Sequence, residues 1–137
     1  MVRRGGVFSP LRALDLHLLQ NQPADRAQAR RPITFLCGCC FLVRADVVRK
    51  VGNFDESYFA YVEDLDLSLR LTQAGFRLLF EPAARVLHRI KASAQDSPFQ
   101  IIQRDQNRRR LVQRHFGAVD RLRFYVLVLP NTTDASC

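Results

Sequence analysis

Residues 63–74 read as one helix with apolar side chains on two sides. Leu65 and Leu69 lie on one side, and Leu67, Leu71 and Ala74 on the other. A helix apolar on two sides is buried between layers rather than laid on a surface. The rest of the chain must therefore supply an element to each side of it. Its first turn holds Glu63, Asp64 and Asp66, which complement the positive end of the helix dipole. Gly75 follows as a stop signal.

The flanking segments supply candidates. Leu11, Leu14, Leu18 and Leu19 recur at helical spacing, which predicts a short amphipathic helix over residues 10–20. Residues 21–32 are polar and bounded by prolines, and read as a loop. Residues 33–43 are almost continuously apolar around Gly38, as in a buried strand or a strand running into a tight turn. A helical turn over residues 44–51 is closed by Gly52. Residues 53–61 read as an aromatic, acidic loop that packs on the core through Phe54 and Phe59, with Asp55 and Glu56 bracing it. Short strands are expected at residues 76–80 and 84–88, and a helix over 99–115 ended by Gly117. Strands and helices mix, so the class is α/β.

With 137 residues, of which 47% are hydrophobic, the chain is one domain or a piece of one, and too apolar to be disordered. The formal net charge is +8, and Lys50 and Lys91 are its only lysines. Such a charge is a solvated basic surface or an attraction to a diphosphate-sugar, an anionic lipid or nucleic acid. Cys37, Cys39 and Cys40 crowd into one apolar run, and Cys137 stands apart. Adjacent cysteines rarely bridge, and this cluster lacks the spaced pairs of a zinc site. Buried free thiols in a reducing compartment are expected. No stretch approaches the roughly 20 apolar residues of a membrane span. The late run 124–129, which stops at Pro130, reads as an interfacial helix or a last core strand.

Two carboxylates at a helix start are ordinarily dipole complement and cap. Here aromatic Tyr58, Phe59 and Tyr61 lead into Glu63 and Asp64, and sugars stack on aromatic faces. The helix behind is deeply apolar, so its start is held against a core. A carboxylate fixed in that way makes a good general base.

The stretch CGCCFLVRADVVRKVGNFDESYFAYVEDLDLSLRLTQAGFRLLFEPAARVLH resembles the second half of the catalytic domain of family-2 glycosyltransferases, in particular the bacterial rhamnosyltransferase-like branch. The matching features come in order: Gly38 and Cys40, then Arg44, Val51 and Gly52, then Phe54, Asp55 and Glu56. Tyr61, Glu63, Asp64, Asp66, Leu67, Arg70 and Gly75 follow, then Pro82 and His88. The later RRRLVQRHFG is similar to a helix end of the same group.

The resemblance implies a partial GT-A domain, a mixed sheet with flanking helices, and an inverting reaction. An acceptor hydroxyl attacks the anomeric carbon of a nucleotide-diphosphate sugar, with Asp64 as base and Glu63 orienting the acceptor or the loop. His88 is a packed or surface residue, or, by the resemblance, a ligand to a divalent metal, Mg or Mn. Tyr58 and Tyr61 are acceptor contacts or core packing. Asp66 faces away from Asp64 and reads as scaffold, and Arg70 as a tie to a neighbouring carboxylate.

The family's first half, with its nucleotide-binding unit and Asp-x-Asp pair, has no counterpart before Ile33, and Asn53 stands where a second glycine is usual. Residues 1–32 are therefore expected as a variable lead, 33–117 as the acceptor-side half and 118–137 as a tail. The expected role is a fragment of a transferase for cell-surface polysaccharide or glycolipid, inactive alone: a truncated gene product, a partial reading frame or a piece of a larger enzyme, or else a segment that pairs with a separately encoded N-terminal half. It would sit in the cytoplasm, at the inner face of the membrane with peripheral contact. The competing reading is a small basic module that binds nucleic acid or anionic membrane through Arg104, Arg108, Arg109, Arg110, Arg114, Arg121 and Arg123. Against it, no recognised nucleic-acid motif is present.

Overall fold

A computed structural model of the chain describes residues 6–9, 14–17, 29–86 and 97–128. Strands β1 (Gly6–Ser9) and β2 (Leu14–His17) pair antiparallel, Gly6 opposite His17 and Ser9 opposite Leu14. β3 (Arg31–Ile33) leads through a turn to α1 (Ala45–Lys50). The central helix α2 (Glu63–Gln73) is followed by β4 (Leu78–Phe80). The long α3 (Pro98–His115), the short α4 (Ala118–Arg123) and a π-helical turn over Phe124–Val128 complete the described order. β3 and β4 pair antiparallel, with Ile33 opposite Leu78.

The two apolar sides of α2 meet two different neighbours. Leu65 is buried with Phe35, Tyr58 and the α3 residue Leu111, and Leu69, Val62 and Phe116 pack against that group. Leu67 and Leu71 are buried with Ile33, Leu36 and Leu78, and Val47, Val51, Phe76 and Phe80 close around them. So α2 lies between α3 on one side and the β3–β4 pair with α1 on the other. Side chains of this size contribute roughly 1.5–3 kcal/mol each when fully buried. A smaller cluster, Val112 with Phe124, fastens the π-helical turn to α3.

Both helices that frame the site end in the same way. After α2, Gly75 adopts φ 86°, its N–H donates to Thr72 O, and the Phe76 N–H donates to Leu71 O. Leu71 and Phe76 also share one apolar cluster. After α1, Gly52 at φ 89° and the Asn53 N–H to Val48 O repeat the pattern. These are Schellman endings, in which glycine takes the left-handed conformation without a Cβ penalty. At the other end of the molecule, Ser97 and Gln100 form a reciprocal capping box at the start of α3, with Pro98 in its first turn.

Several expectations are corrected. The helix predicted over residues 10–20 is not formed at 14–17, where the chain is a strand. Leu14 and Leu16 also alternate with Asp15 and His17, and pairing with β1 selects that period. Of the two readings of the apolar run, the strand that leads into a turn is the one formed: the strand ends at Ile33, and Cys37 O accepts the Cys40 N–H further on. Leu42 in the same run is 98% exposed. Phe54 and Phe59 do not anchor their loop, being 45% and 78% exposed, whereas Tyr58 is buried. Of the thiols, Cys37 is buried, but Cys39 and Cys40 are exposed. Residues 84–86 are not a strand, and Phe124–Val128 is helical rather than a strand. Among the described residues the sheets are two antiparallel pairs rather than one mixed sheet. Ala74 caps α2 and is exposed.

Candidate active site

The segment before α2 is unusual in its backbone. Tyr61 and Val62 both hold left-handed conformations, φ 68° and φ 74°, and Val62 is the residue preceding the first turn. A β-branched residue there is strained, by about 1–3 kcal/mol, and persists only where its surroundings over-determine it. The surroundings are supplied by α3. Asn107, completely buried, donates from Nδ2 to Ala60 O at 2.7 Å and to Tyr61 O at 2.9 Å. One turn along, Arg110 donates to Ser57 O, and its guanidinium lies over the Tyr58 ring at 5.6 Å. Arg114 pairs with Asp55, whose Oδ1 accepts the Ser57 N–H at 2.9 Å. Three residues of α3, spaced by three and four, thus strap the loop 55–61 down along one helical face.

That strap fixes where Asp64 points. Its Oδ2 accepts the Gly38 N–H at 2.7 Å, and its Oδ1 accepts the Leu65 N–H at 2.8 Å. One turn further on, Ser68 Oγ accepts the Leu36 N–H at 2.8 Å and donates to Asp64 O at 2.6 Å. Alternate N–H groups of the extended segment 36–38 therefore meet residues 64 and 68 of α2, because two extended residues span about one helical turn. A Cβ on Gly38 would lie 3.2 Å from Asp64 Oδ2, tight enough that the carboxylate would have to give by a few tenths of an ångström. These two backbone donors orient the carboxylate.

Glu63 is placed differently. Its Oε2 is buried and has no hydrogen-bond partner. Burial raises its carboxyl above the usual range, and the neighbouring Asp64 charge raises it further. Tyr61 is on the surface beside it, 37% exposed. Tyr58 is in the core at 4% exposure, so packing is the role it has here. Burial, reinforced by the Asp66 charge, pushes its phenol above the usual value.

Asp66 is enclosed. Arg70 reaches it at 2.7 Å, and His115 Nε2 donates to its other oxygen at 2.7 Å. Burial alone would raise this carboxyl, but hydrogen bonds from His115 and Arg70 hold it below the usual range. Arg70 also donates to Val51 O at 2.6 Å and so ties α2 to the end of α1. His88 lies outside the described residues. Among the described residues, no group of three or more His, Cys, Asp or Glu side chains is placed to hold a metal ion. The described side chains do not build a metal site by themselves.

Four participants escaped the reading of the sequence. The Gly38 N–H, Asn107, Arg110 and His115 reach the site from 26 to 53 residues away in the chain. The block 108–110 signalled only charge. Several arginines of the basic-module reading are in fact used within the chain. Arg109 pairs with Asp105, Arg114 with Asp55 and Arg123 with Asp120. Arg121 donates to Phe116 O and Gln113 O.

The Asp64 carboxylate is thus held at the start of a helix that is buried on two sides, next in sequence to an aromatic loop. Comparison with known sequences gives the family: residues 1–125 match the family model described as "Glycosyltransferase like family 2". The chain belongs to glycosyltransferase family 2. It is 48% identical over 60 residues to N-acetylglucosaminyl-diphospho-decaprenol L-rhamnosyltransferase of Mycobacterium tuberculosis, covering 44% of this chain and 20% of that protein. It is 38% identical over 66 residues to rhamnosyltransferase WbbL of Escherichia coli, covering 48% of this chain and 25% of that protein. With the pre-mycofactocin glycosyltransferase of M. tuberculosis the identity is 36% over 64 residues, 47% of this chain and 13% of that protein. The matches thus span a quarter or less of the length of these curated relatives. No solved structure matches the chain significantly. Among the described residues, no helix is long and apolar enough to cross a membrane.

Proposed function

We propose that this chain carries the acceptor side of an inverting, GT-A type glycosyltransferase. The donor is a nucleotide-diphosphate sugar, and the acceptor is a hydroxyl on a carbohydrate or a glycolipid. The observation that carries the proposal is the fixed Asp64 carboxylate, oriented by the Gly38 and Leu65 N–H groups at the rigid start of α2. As the acceptor oxygen attacks the anomeric carbon, its proton passes to Asp64, and the bond to the nucleoside diphosphate breaks with its electrons on the diphosphate. An alcohol is a weak acid, so proton transfer is late and concerted, and a carboxylate within hydrogen-bond reach suffices. Glu63 and Tyr61, beside it, orient the acceptor.

The names of two relatives specify rhamnosyl transfer, one of them to a decaprenol-linked sugar. This favours a polyprenyl-diphosphate-linked acceptor, cell-surface polysaccharide or glycolipid as product, and work at the cytoplasmic face of the membrane. A divalent metal, Mg or Mn, if bound, would supply positive charge to the departing diphosphate, and His88 is the residue of this chain that would ligate it. Residues 33–117 form the acceptor-side half in this reading, with 1–32 a variable lead and 118–137 a tail. Donor binding falls to a further unit, in the same or another polypeptide, and the 137 residues alone do not transfer sugar.

Two measurements test this. Calorimetry of the 137-residue chain with a nucleotide-diphosphate sugar and Mg or Mn should give no micromolar binding, and clear binding would overturn the division of labour. In an enzyme that includes the donor unit, Asp64→Asn should lower the transfer rate by about 10²–10⁴-fold with donor affinity unchanged. Retained turnover would refute the base.

A further inference from the structure

We propose that Cys37 and Cys39 are a redox-active dithiol whose oxidation to a disulfide withdraws the Gly38 N–H from Asp64. The two Sγ atoms are 3.3 Å apart. A disulfide needs about 2.05 Å, so closure requires a shift of roughly 1.3 Å. The residue between them is Gly38, which offers the least resistance to the backbone rotation that closure demands. Cys37 is buried and Cys39 is exposed, so the pair has one protected and one accessible sulfur. Cys40 is exposed as well, but a bridge between adjacent cysteines is disfavoured by the peptide joining them.

The chemistry follows from that asymmetry. The Cys39 thiolate attacks a hydroperoxide, the O–O bond breaks, and Cys39 becomes a sulfenic acid while water or an alcohol leaves. Cys37 sulfur then attacks the Cys39 sulfur, the S–O bond breaks, and hydroxide leaves with the Cys37 proton as water. Two thiols lose two electrons and the peroxide gains them. Burial pushes the Cys37 thiol up to about 12, so it stays protonated and is not the sulfur that reacts first with peroxide.

The same turn holds the carboxylate. Gly38 donates its N–H to Asp64 at 2.7 Å, and the room around its Cα toward Asp64 is only that of a missing Cβ. Drawing the sulfurs together on both sides of Gly38 must rotate this peptide and lengthen that bond. In a reducing compartment the pair stays open and Asp64 stays oriented. A peroxide pulse closes it, and thiol reductants reopen it. The consequence for catalysis rests on Asp64 being the base, whereas the disulfide and the loss of the hydrogen bond do not.

The test uses the full 137-residue chain. It is treated with hydrogen peroxide, remaining thiols are alkylated, and the peptide containing residues 37–40 is analysed by mass spectrometry. Hydrogen exchange of the Gly38 amide is followed in parallel by NMR. The expected result is a Cys37–Cys39 bridge reversible by dithiothreitol, with Gly38 exchange accelerated at least about tenfold. Cys39→Ser should abolish both changes, and Cys40→Ser should keep both. Oxidation that stops at a Cys39 sulfinic acid, or a bridge through Cys40 or Cys137, would overturn the proposal. So would a Cys37–Cys39 bridge with unchanged Gly38 exchange. If Asp64→Asn left turnover intact in the complete enzyme, the base reading would fail while these results stood.

Discussion

Asp64 and Asp66 are two residues apart on one helix, and their surroundings are opposite. Asp64 is partly open and is held by backbone N–H groups, one of them from the segment 36–38. Asp66 is closed off between Arg70 and His115. Two residues along an α-helix turn a side chain by about 200°, so the same chemical group is partly exposed in one case and buried in the core in the other. Asp64 is oriented by backbone N–H dipoles, whereas Asp66 is neutralised by two side chains and serves the fold. Proximity in sequence therefore says little about shared role, and the partner set says a great deal.

The first way to break the comparison is at Asp66. Asp66→Ala leaves Arg70 and His115 buried without their partner and should cost about 3–5 kcal/mol, read as a drop in denaturation midpoint. Because the folded state holds this carboxyl below its usual 3.8, its contribution is present above that value and is lost as pH falls through the lowered one. Wild type should therefore weaken in acid, and the Asp66→Ala variant should show less of that weakening. A midpoint within 1 kcal/mol of wild type, an upper limit roughly that of a surface pair, would mean the enclosed pair does not hold α2 to α3.

The second concerns the strap. Asn107→Ala strands the Ala60 and Tyr61 carbonyls and should cost about 1–3 kcal/mol. It should also relax the left-handed pair Tyr61–Val62, visible as changed chemical shifts there. Unchanged shifts would show that the turn holds itself.

Glu63→Gln sharpens the contrast from the other direction. The folded state raises this carboxyl, chiefly by burial, so its charged form is the one that costs. The substitution should stabilise the chain at neutral pH by about 1 kcal/mol or less. The gain should fade as pH falls through the raised value toward 4.5, where the wild-type group is protonated too. A loss of stability at neutral pH would mean Glu63 has a partner that favours its charge. The smallest effect is expected at Arg114, whose ion pair with Asp55 is half exposed. Arg114→Ala should cost less than about 1 kcal/mol and should do so mainly at low salt.

The parts of this molecule that could be read from the sequence are those written locally. The two-sided leucines of α2, the glycines that end α1 and α2, and the Asp66–Arg70 tie all depend on residues within a few turns of each other. The errors fall where a distant partner decides. Leu14 fitted a helical spacing with Leu11 and Leu18 and an alternating one with Leu16, and pairing with Gly6–Ser9 chose the second. Phe59 looked like the anchor of its loop, but Arg110, more than 50 residues away, braces Tyr58 instead. The acidic pair was visible as a candidate, whereas the Gly38 N–H that aims Asp64 was not, because a backbone donor leaves no mark on residue type.

Measuring Asp64→Asn beside Asp66→Asn, in an enzyme that includes the donor unit, tests the central claim most directly. Both are assayed for melting temperature, donor affinity and transfer rate. Asp64→Asn should melt near wild type, bind donor normally and lose transfer by about 10²-fold or more. Asp66→Asn should melt well below wild type and, while folded, keep a substantial transfer rate. The reverse assignment of losses, or turnover retained by Asp64→Asn, would contradict the account.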